Sequence, residues 1–528
     1  TTWQLHRVGG ATENTLAQSL PRTLDDLAAL AGPASSALYA AAAAIAQAQA
    51  AFPRASAIRD ALAQADAALE AAQSKITAAF QSAHGHRLTR KRREIAAALA
   101  EAAGLSLIVT PQPGDLVPGC EATWHIVQTT PIAATDVTLT PHLPAGVTAT
   151  QTALADATAD IALNVSDDAP FSGVFGPSYD PLGGNGPGWL DVSAIVAGRA
   201  IRISVDPEQP LSVGPARAFT VTPARFIRRT GDTTPLPALI GCDATPAFDV
   251  PDGWDVQQAG RRLTITPPSD ALSGRITMPA RIDGRVAQAV TRAQYPHIGT
   301  VTYPDAASLQ VLTLDFDLPQ DTRIAYVGSG DSVGAWLLRL GLDVTLLDDI
   351  SSDEDFAAYT TVLIGVVAFG NRPDLQAATD RLHAFVEGGG HLVTLYQRPD
   401  QGWTEATTPP RPLKIGTPSL RWRVTDPDTA VKILTPDHPL LTVPNAITGQ
   451  DFDGWDKERG LYFAARWDAA YTPLLSMSDA GEDPLTGALV SGRIGAGRHT
   501  HTSLVLHHQM DRLVPGAFRL MCNLVQPA

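Results

Sequence analysis

The sequence has 528 residues, 44% of them hydrophobic and 18% charged, which is the make-up of a globular protein and too much chain for one core, so three or four domains are expected. Its formal charge of −15 argues against a nucleic-acid or anionic-membrane surface, since both call for a basic footprint. Its three cysteines, Cys120, Cys242 and Cys522, lie too far apart for a zinc-knuckle pattern, one pair remaining free to bridge, and no apolar run reaches the roughly 20 residues of a membrane span.

Thr1 in place of Met reads as processing, truncation or an internal start. An N-terminal threonine can be a nucleophile with its own amine as base; any processed chain can also simply begin with one. Residues 1–34 read as a connector. From 35 to 104 the pattern is helical, a hairpin or small bundle. Leu38, Ile45 and Phe52 recur every seven residues, and after Pro53 the positions Ile58, Leu62, Ala65, Leu69, Ala72 and Ile76 step by four and three, an apolar seam for antiparallel helices. His84-Gly85-His86 is read as a break, followed by a third helix with Ile95, Leu99 and Ala103 on one side. The cluster Arg90-Lys91-Arg92-Arg93 is a helix face offset by nearby acids or a patch for an anionic partner; the overall charge favours the former.

After Leu105 short β-type runs appear: Leu107–Thr110, Thr123–Val127, Val137–Thr140, Ile201–Val205, Phe219–Thr222, Leu263–Thr266 and Arg275–Met278. Pro/Gly turns separate them and no helices intervene, which predicts a β-sandwich module over 105–222 and a second β-rich module over 223–318. The glycine-rich stretch Gly183–Gly188 is read as a flexible surface excursion, because no Lys-Ser/Thr or helix start follows it.

From 319 to 528 strands alternate with helices. Arg323–Val327 leads through a glycine turn to a helix with Val333, Trp336, Leu337 and Leu340. Val344–Leu347, Val362–Gly365 and His391–Leu395 follow as strands, and a helix around Ala517–Leu524 closes the chain. This alternation predicts a parallel, doubly wound sheet.

Gly328-Ser329-Gly330-Asp331-Ser332-Val333-Gly334 sits where a dinucleotide loop would, with Asp348 about 20 residues on. The third glycine comes one place late, and Asp331 would repel a pyrophosphate, so a tight turn with Asp331 as a helix cap is the better reading. His499 and His501 alternate on one strand face and form a candidate metal pair, with His507-His508 nearby; two imidazoles two residues apart can share zinc, but no local acid completes the set. Asp451, Asp453, Trp455, Glu458, Arg459 and Tyr462 make the densest polar-aromatic cluster. Trp455 or Tyr462 would stack on a sugar while the carboxylates and Arg459 bind hydroxyls; alternatively Arg459 pairs internally and pins a loop.

With its turns at Gly365 and Gly388-Gly389-Gly390, the last domain resembles the flavodoxin-like class I glutamine amidotransferases. The position expected for their cysteine nucleophile leads instead into Tyr396-Gln397-Arg398, and the region's only cysteine, Cys522, is in the terminal helix. The chain as a whole resembles the region that follows the catalytic domain in long bacterial PIG-L/LmbE-type N-deacetylases. The resemblance rests on Thr1-Thr2-Trp3 with Arg7–Gly10, Tyr295–Ile298, Ile324–Gly330, Gly341–Leu347 and Gly388–Tyr396. It continues in His438–Leu441, Pro444-Asn445, Asp451-Phe452 through Glu458–Tyr462, and Pro515–Leu520 with Asn523-Leu524. It implies a multidomain accessory region: helical hairpin, β-sandwich modules, then an amidotransferase-like domain without nucleophile.

Such deacetylases hydrolyse N-acetyl groups on GlcNAc-type sugars with a zinc-bound water held by an Ala-His-Pro-Asp-Asp-Glu type segment. That segment is missing; the only His-Pro, His438-Pro439, is followed by leucines. No catalytic residue is therefore assigned here, and zinc is expected in a deacetylase domain of the same parent protein or of a companion chain. A glycan is the second expected partner. A separate carbohydrate-binding or scaffold protein, and an enzyme using the His499/His501 pair or the domain's surface acids, remain the competing readings. Related long deacetylases are often exported to the periplasm or beyond, and the scarcity of cysteine fits either side of a membrane.

Overall fold

The computed structural model describes residues 20–150, 157–172, 179–241, 245–295, 299–351 and 354–528. Thr1–Trp3, Arg7–Gly10, Cys242 and Pro296, His297 and Ile298 lie outside the described residues. The chain has an N-terminal helical region, then many β-strands, then an α/β region, and it divides into two compact units. The first runs up to Phe219 and takes back Gln288–Ala306; the second comprises Thr220–Ala287 and Ala307–Ala528. The expected segment 223–318 is thus shared between the two units.

In the first unit, the supposed connector already holds a helix, Leu24–Leu30. Thr23 and Asp26 close a capping box at its start, and Leu27 and Ala28 are buried. Helix Ser35–Ala50 buries Leu38, Ala41, Ala44 and Ala48, so alanines carry the seam. Phe52 lies beyond the helix, 77% exposed. Ala55–Gln73 buries Ala61, Leu62, Ala65, Leu69 and Ala72 as the 4-3 step predicts. The break falls at Ser74–Thr77, not at His84-Gly85-His86: the next helix, Ala78–Ala102, starts on a Thr77 cap and runs unbroken through Gly85.

The basic cluster is paired. Arg90 reaches Glu94 (3.1 Å), Lys91 reaches Glu94, Arg92 reaches the buried Asp66 (2.9 Å) and Arg93 reaches Asp180 (2.8 Å). Asp66 also accepts from Arg199 Nε (2.8 Å), which ties the helices to a strand. Two antiparallel sheets follow. One orders the strands Leu107–Gln112, Glu121–Gln128, Thr158–Val165 and Val147–Ala149; the other orders Thr135–His142, Trp189–Val196 and Arg199–Val205. Alternate residues of both, among them Val109, Trp124, Ile161, Leu139, Leu190 and Val192, enter one core with the helices. The glycine loop is no loose excursion: the Asp206 carboxylate accepts from the amides of Gly184 (2.8 Å) and Asn185 (2.7 Å) and from Asn185 Nδ2 (2.7 Å).

The second unit opens with two small sheets. Leu236–Ile240 and Arg262–Thr266 are central in one. In the other, Ser308–Leu314 runs between Arg225–Arg229, to which it is parallel, and Gly274–Ile282. The rest is built on a seven-stranded sheet. In chain order its strands are β1 (Ile324–Val327), β2 (Val344–Leu346), β3 (Thr361–Ile364), β4 (His391–Thr394), β5 (Tyr471–Pro473), β6 (Leu489–Ile494) and β7 (Gly497–Thr502). They lie in the order β2-β1-β3-β4-β7-β6-β5; the first five are parallel, β6 runs antiparallel to β7, and β5 pairs antiparallel with β6. Strands β1, β3, β4 and β7 are buried at every residue, as a sheet covered on both faces requires. Helices Val333–Arg339 and Pro515–Leu524 fall where the periodicity put them, and Thr379–Glu387 precedes β4.

Candidate functional site

From β1 the chain crosses to β2 on one side, then returns to β3 on the other. In an open α/β sheet, ligands bind where such connections diverge, beyond the carboxyl ends of the strands. The segments that meet there are Gly328–Asp331, Gly365–Val367, Tyr396–Arg398 and the stretch from Ser503 to His507. Asp331 binds them together. One carboxylate oxygen accepts from the Tyr326 hydroxyl and from Val333 N (3.0 Å), the other from Val366 N (2.9 Å). The helix N-cap is Ser332, without a side-chain cap bond, so Asp331 sits one residue before the cap expected of it, and it locks two loops. Ser329 Oγ donates to Val366 O, and a side chain at Gly365 would collide with Asp331 and the Tyr326 hydroxyl. Burial first, then Asp331, holds the Tyr326 phenol far above its ordinary range.

The rim is aromatic and polar. Tyr396 stacks on Tyr462 with ring centres 5.9 Å apart, Arg398 lies over the Tyr462 ring at 5.9 Å, and the His507 ring is 5.8 Å from Tyr396. Burial raises the Tyr396 pKa and lowers that of His507, so a neutral phenol and a neutral imidazole stand side by side. His507 Nδ1 and Ser332 Oγ are enclosed without a hydrogen-bond partner. Val367 (φ 55°), Lys457 (φ 73°) and Tyr462 (φ 58°) are left-handed although none is glycine. Strain of this kind persists where surrounding structure over-determines it, and it concentrates at functional sites.

Of the six cluster residues singled out in sequence, Tyr462 stands on this rim. Three others are framework. Trp455 is 4% exposed and donates through Nε1 to Asp451 O (3.1 Å), so it offers no face to a sugar. Arg459 is buried against Phe452 and Trp455 and donates to Phe452 O and to Thr429 O (2.7 Å). Asp451 accepts from Thr448 N (2.8 Å) and pairs with Arg519 (2.8 Å). Glu458 is buried, with Lys457 Nζ at 3.9 Å, and Asp453 is exposed. The loop itself is pinned by the fully buried Gln509, which donates to Asp456 O (2.8 Å) and accepts from Asp456 N (2.9 Å).

His499 and His501 do share a strand face, but an interior one. Both are fully buried. His499 meets the Tyr471 hydroxyl (2.6 Å) and Thr394 Oγ1 (3.2 Å); His501 meets Thr394 Oγ1 (2.8 Å) and Ser503 Oγ (3.3 Å). Hydroxyls occupy all four ring nitrogens of the pair that the sequence offers as a candidate metal site. Among the described residues no three His, Cys, Asp or Glu side chains gather as a metal set.

The elbow after β4 settles into a comparable role. Gln397 is fully buried, accepting from Phe369 N (3.1 Å) and donating to Gly365 O (2.8 Å) and Leu395 O (2.9 Å). Cys522 is buried, its thiol pushed up to about 12 by burial. Tyr396, Arg398 and Val367 escaped the sequence reading as binding residues; their position straight after parallel strands was the available signal.

In the first unit a cleft of about 440 Å³ is lined by Arg93, His142, Trp189, Asp191 and Arg202. His142 stacks on Trp189 at 4.7 Å, while Asp191 accepts from His142 (2.7 Å), Ser204 (2.8 Å) and Arg202. Its charges satisfy one another. Among the described residues no helix is long and apolar enough to cross a membrane.

No protein-family model matches the sequence, and no curated protein matches it. Solved structures align with parts of it. The titin domains Z1Z2 in complex with telethonin are 13% identical over 40% of this chain and 97% of that one, with a TM-score of 0.17. The exo-β-1,4-mannosidase Op5Man5 from Opitutaceae bacterium strain TAV5 is 14% identical over 39% of this chain and 36% of its own, at 0.24. The β-galactosidase of the Antarctic haloarchaeon Halorubrum lacusprofundi is 15% identical over 40% and 31%, at 0.21. TM-scores of this size carry no weight for fold or activity.

Proposed function

We propose that this chain is the accessory, non-catalytic region of a zinc-dependent PIG-L/LmbE-type N-deacetylase. It serves to scaffold the catalytic domain and to bind a GlcNAc-type glycan at the β1/β3 edge of its last sheet. On this reading the first unit carries a β-sandwich and the last sheet is a flavodoxin-like, amidotransferase-like domain.

The observation that carries the reading is the elbow after β4. In an amidotransferase that turn would present a nucleophile; here Tyr396 and Arg398 flank Gln397, whose amide is consumed by main chain. What is left is a rim of two phenols, a guanidinium and a neutral imidazole, groups that suit the hydroxyls of a sugar better than acyl transfer. The sequence segments that carry the resemblance also meet in one buried framework. Asn445 N donates to Asn523 Oδ1 (3.0 Å), Asn523 Nδ2 donates to Leu440 O (3.1 Å), and Asp451 pairs with Arg519.

Two measurements test this. Titration with GlcNAc oligosaccharides should show saturable binding that Tyr462→Ala weakens about tenfold; no binding, or binding indifferent to Tyr462, rejects the edge as the glycan site. Intact mass of native material under non-denaturing conditions, with zinc analysis of the same sample, tests the accessory role. A longer polypeptide or a companion chain carrying stoichiometric zinc supports it. A lone, zinc-free species of this chain's own mass overturns it and leaves a stand-alone binding or scaffold protein.

A further inference from the structure

The described residues include three buried arginines, Arg228, Arg459 and Arg498. Two have evident partners inside the fold. Arg459 donates to two carbonyls and lies against two aromatic rings. Arg228 faces Trp254 at 5.8 Å and reaches the Thr313 hydroxyl through Nη1 (3.4 Å), although its Nε and Nη2 are enclosed without a partner. Arg498 is 5% exposed, yet its guanidinium has no hydrogen bond, ion pair or aromatic face among the described residues. A guanidinium stays charged at any working pH, and this one is held largely within the fold with no acid beside it while its nitrogens still reach solvent, which leaves it open to an anion from solution.

Its neighbours deepen the problem. Arg498 on β7 is paired directly with Arg493 on β6, and like charges set opposite one another across strands repel. Arg493 is exposed and is likewise without a partner. His438, whose Nδ1 caps the short helix Pro439–Thr442 by accepting from Leu440 N (3.2 Å), is held neutral: burial, then Arg498 and Arg493, press its pKa down to about 4. On the same strands and the same face, two residues along, the Ser491 and Thr500 hydroxyls bond each other (2.9 Å). Glu387, whose backbone holds the β6–β7 turn, pairs instead with Arg411 (3.0 Å).

We propose that Arg493 and Arg498 form a binding site for a small oxyanion carried by a phosphate or carboxylate group. Two guanidinium forks on adjacent strands match an anion with several oxygens, through charge-assisted hydrogen bonds that also cancel the repulsion between them. The site belongs to the sheet's β6–β7 margin and draws nothing from the β1/β3 edge, so it stands whether or not that edge binds a glycan.

The test is thermal unfolding of the full chain in a zwitterionic buffer at constant ionic strength, with inorganic phosphate or acetate replacing chloride. Wild type should gain stability with at least one of the two. A response to phosphate alone identifies a phosphoryl ligand, and a response to acetate alone a carboxylate. Arg493→Gln, a surface change that leaves the core intact, should weaken the midpoint response about tenfold in anion concentration. Arg498→Met should abolish it. No response to either anion overturns the site, as does an equal response in wild type and Arg493→Gln.

Discussion

Arg459 and Tyr462 stand three residues apart in one polar-aromatic run, and their surroundings give them opposite roles. Arg459 is enclosed and feeds the carbonyls of Phe452 and Thr429; Tyr462 is half-buried at a rim. Replacing Arg459 by Ala removes the donor from two carbonyls in the interior. Each loss costs about 1–3 kcal/mol, so a destabilisation of about 3 kcal/mol is expected in denaturant unfolding. Tyr462→Ala should stay within about 1 kcal/mol and act on ligand binding instead. A variant pair with equal losses would contradict this division. The sequence offers all six cluster residues as one local group and has no means of ranking them. Which side of the Asp451–Tyr462 loop faces inward is decided by Gln509 and Arg519, more than fifty residues on, and those contacts leave no local trace.

The elements were legible where one period ran long enough. The 4-3 step of Ala55–Gln73 and the apolar strands β1, β3 and β4 appear close to their expected bounds. The glycine between two histidines was misleading because a lone glycine costs a helix only about 1 kcal/mol, which packing of Leu88, Ile95 and Leu99 offsets. That yields a direct expectation. The three atoms nearest a methyl at Gly85 all belong to the flexible Gln81 side chain, which can swing aside, so Gly85→Ala should stabilise by about 0.5–1 kcal/mol. Gly487→Ala should do the reverse, since its methyl would strike the backbone of Ala464.

His499 and His501 of β7 read as a candidate metal pair because alternation shows a shared face but cannot distinguish a solvent face from a second buried one. Burial lowers His391 and His501 to about 3 and His499 well below the usual imidazole value. Their unfolded values lie near 6.5, so between that pH and the folded values the unfolded chain binds more protons. Stability is then full above about pH 6.5 and falls with acidification, by up to about 1.4 kcal/mol per pH unit for each histidine. The unfolding midpoint of the second unit should therefore drop steadily from pH 6.5 to 4.5, and His501→Gln should make that slope shallower. A flat profile would show that these imidazoles titrate in the native state.

At the scale of the molecule, the chain does not visit its two units in sequence. It leaves the second unit at Ala287 and re-enters at Ala307, having supplied the first with the hairpin Gln288–Tyr295 and Gly299–Ala306. No composition shift marks those ends, and both strands look like any other β-run, so a linear reading assigned them to the surrounding module. Within the second unit the exit and return are adjacent: Ala307 N donates to Ala287 O (2.8 Å) and Ala287 N to Ala280 O (2.8 Å). The second unit therefore needs the hairpin only as a covalent detour, and a short Gly-Ser link from Ala287 to Ala307 spans the gap without stretching either strand. In the first unit the hairpin is a contributing element, held by Phe219 N to Gln288 O (2.7 Å) and by Arg292 to Asp115 (3.0 Å). Calorimetry of the full chain should resolve two transitions, and replacing 288–306 by that link should lower one midpoint while leaving the other within a degree or two. The transition that stays put should be the one whose midpoint follows the buried histidines with pH. If both midpoints fall together, the excursion belongs to the cohesion of the whole chain, and the division at Phe219 and Thr220 is not a thermodynamic one.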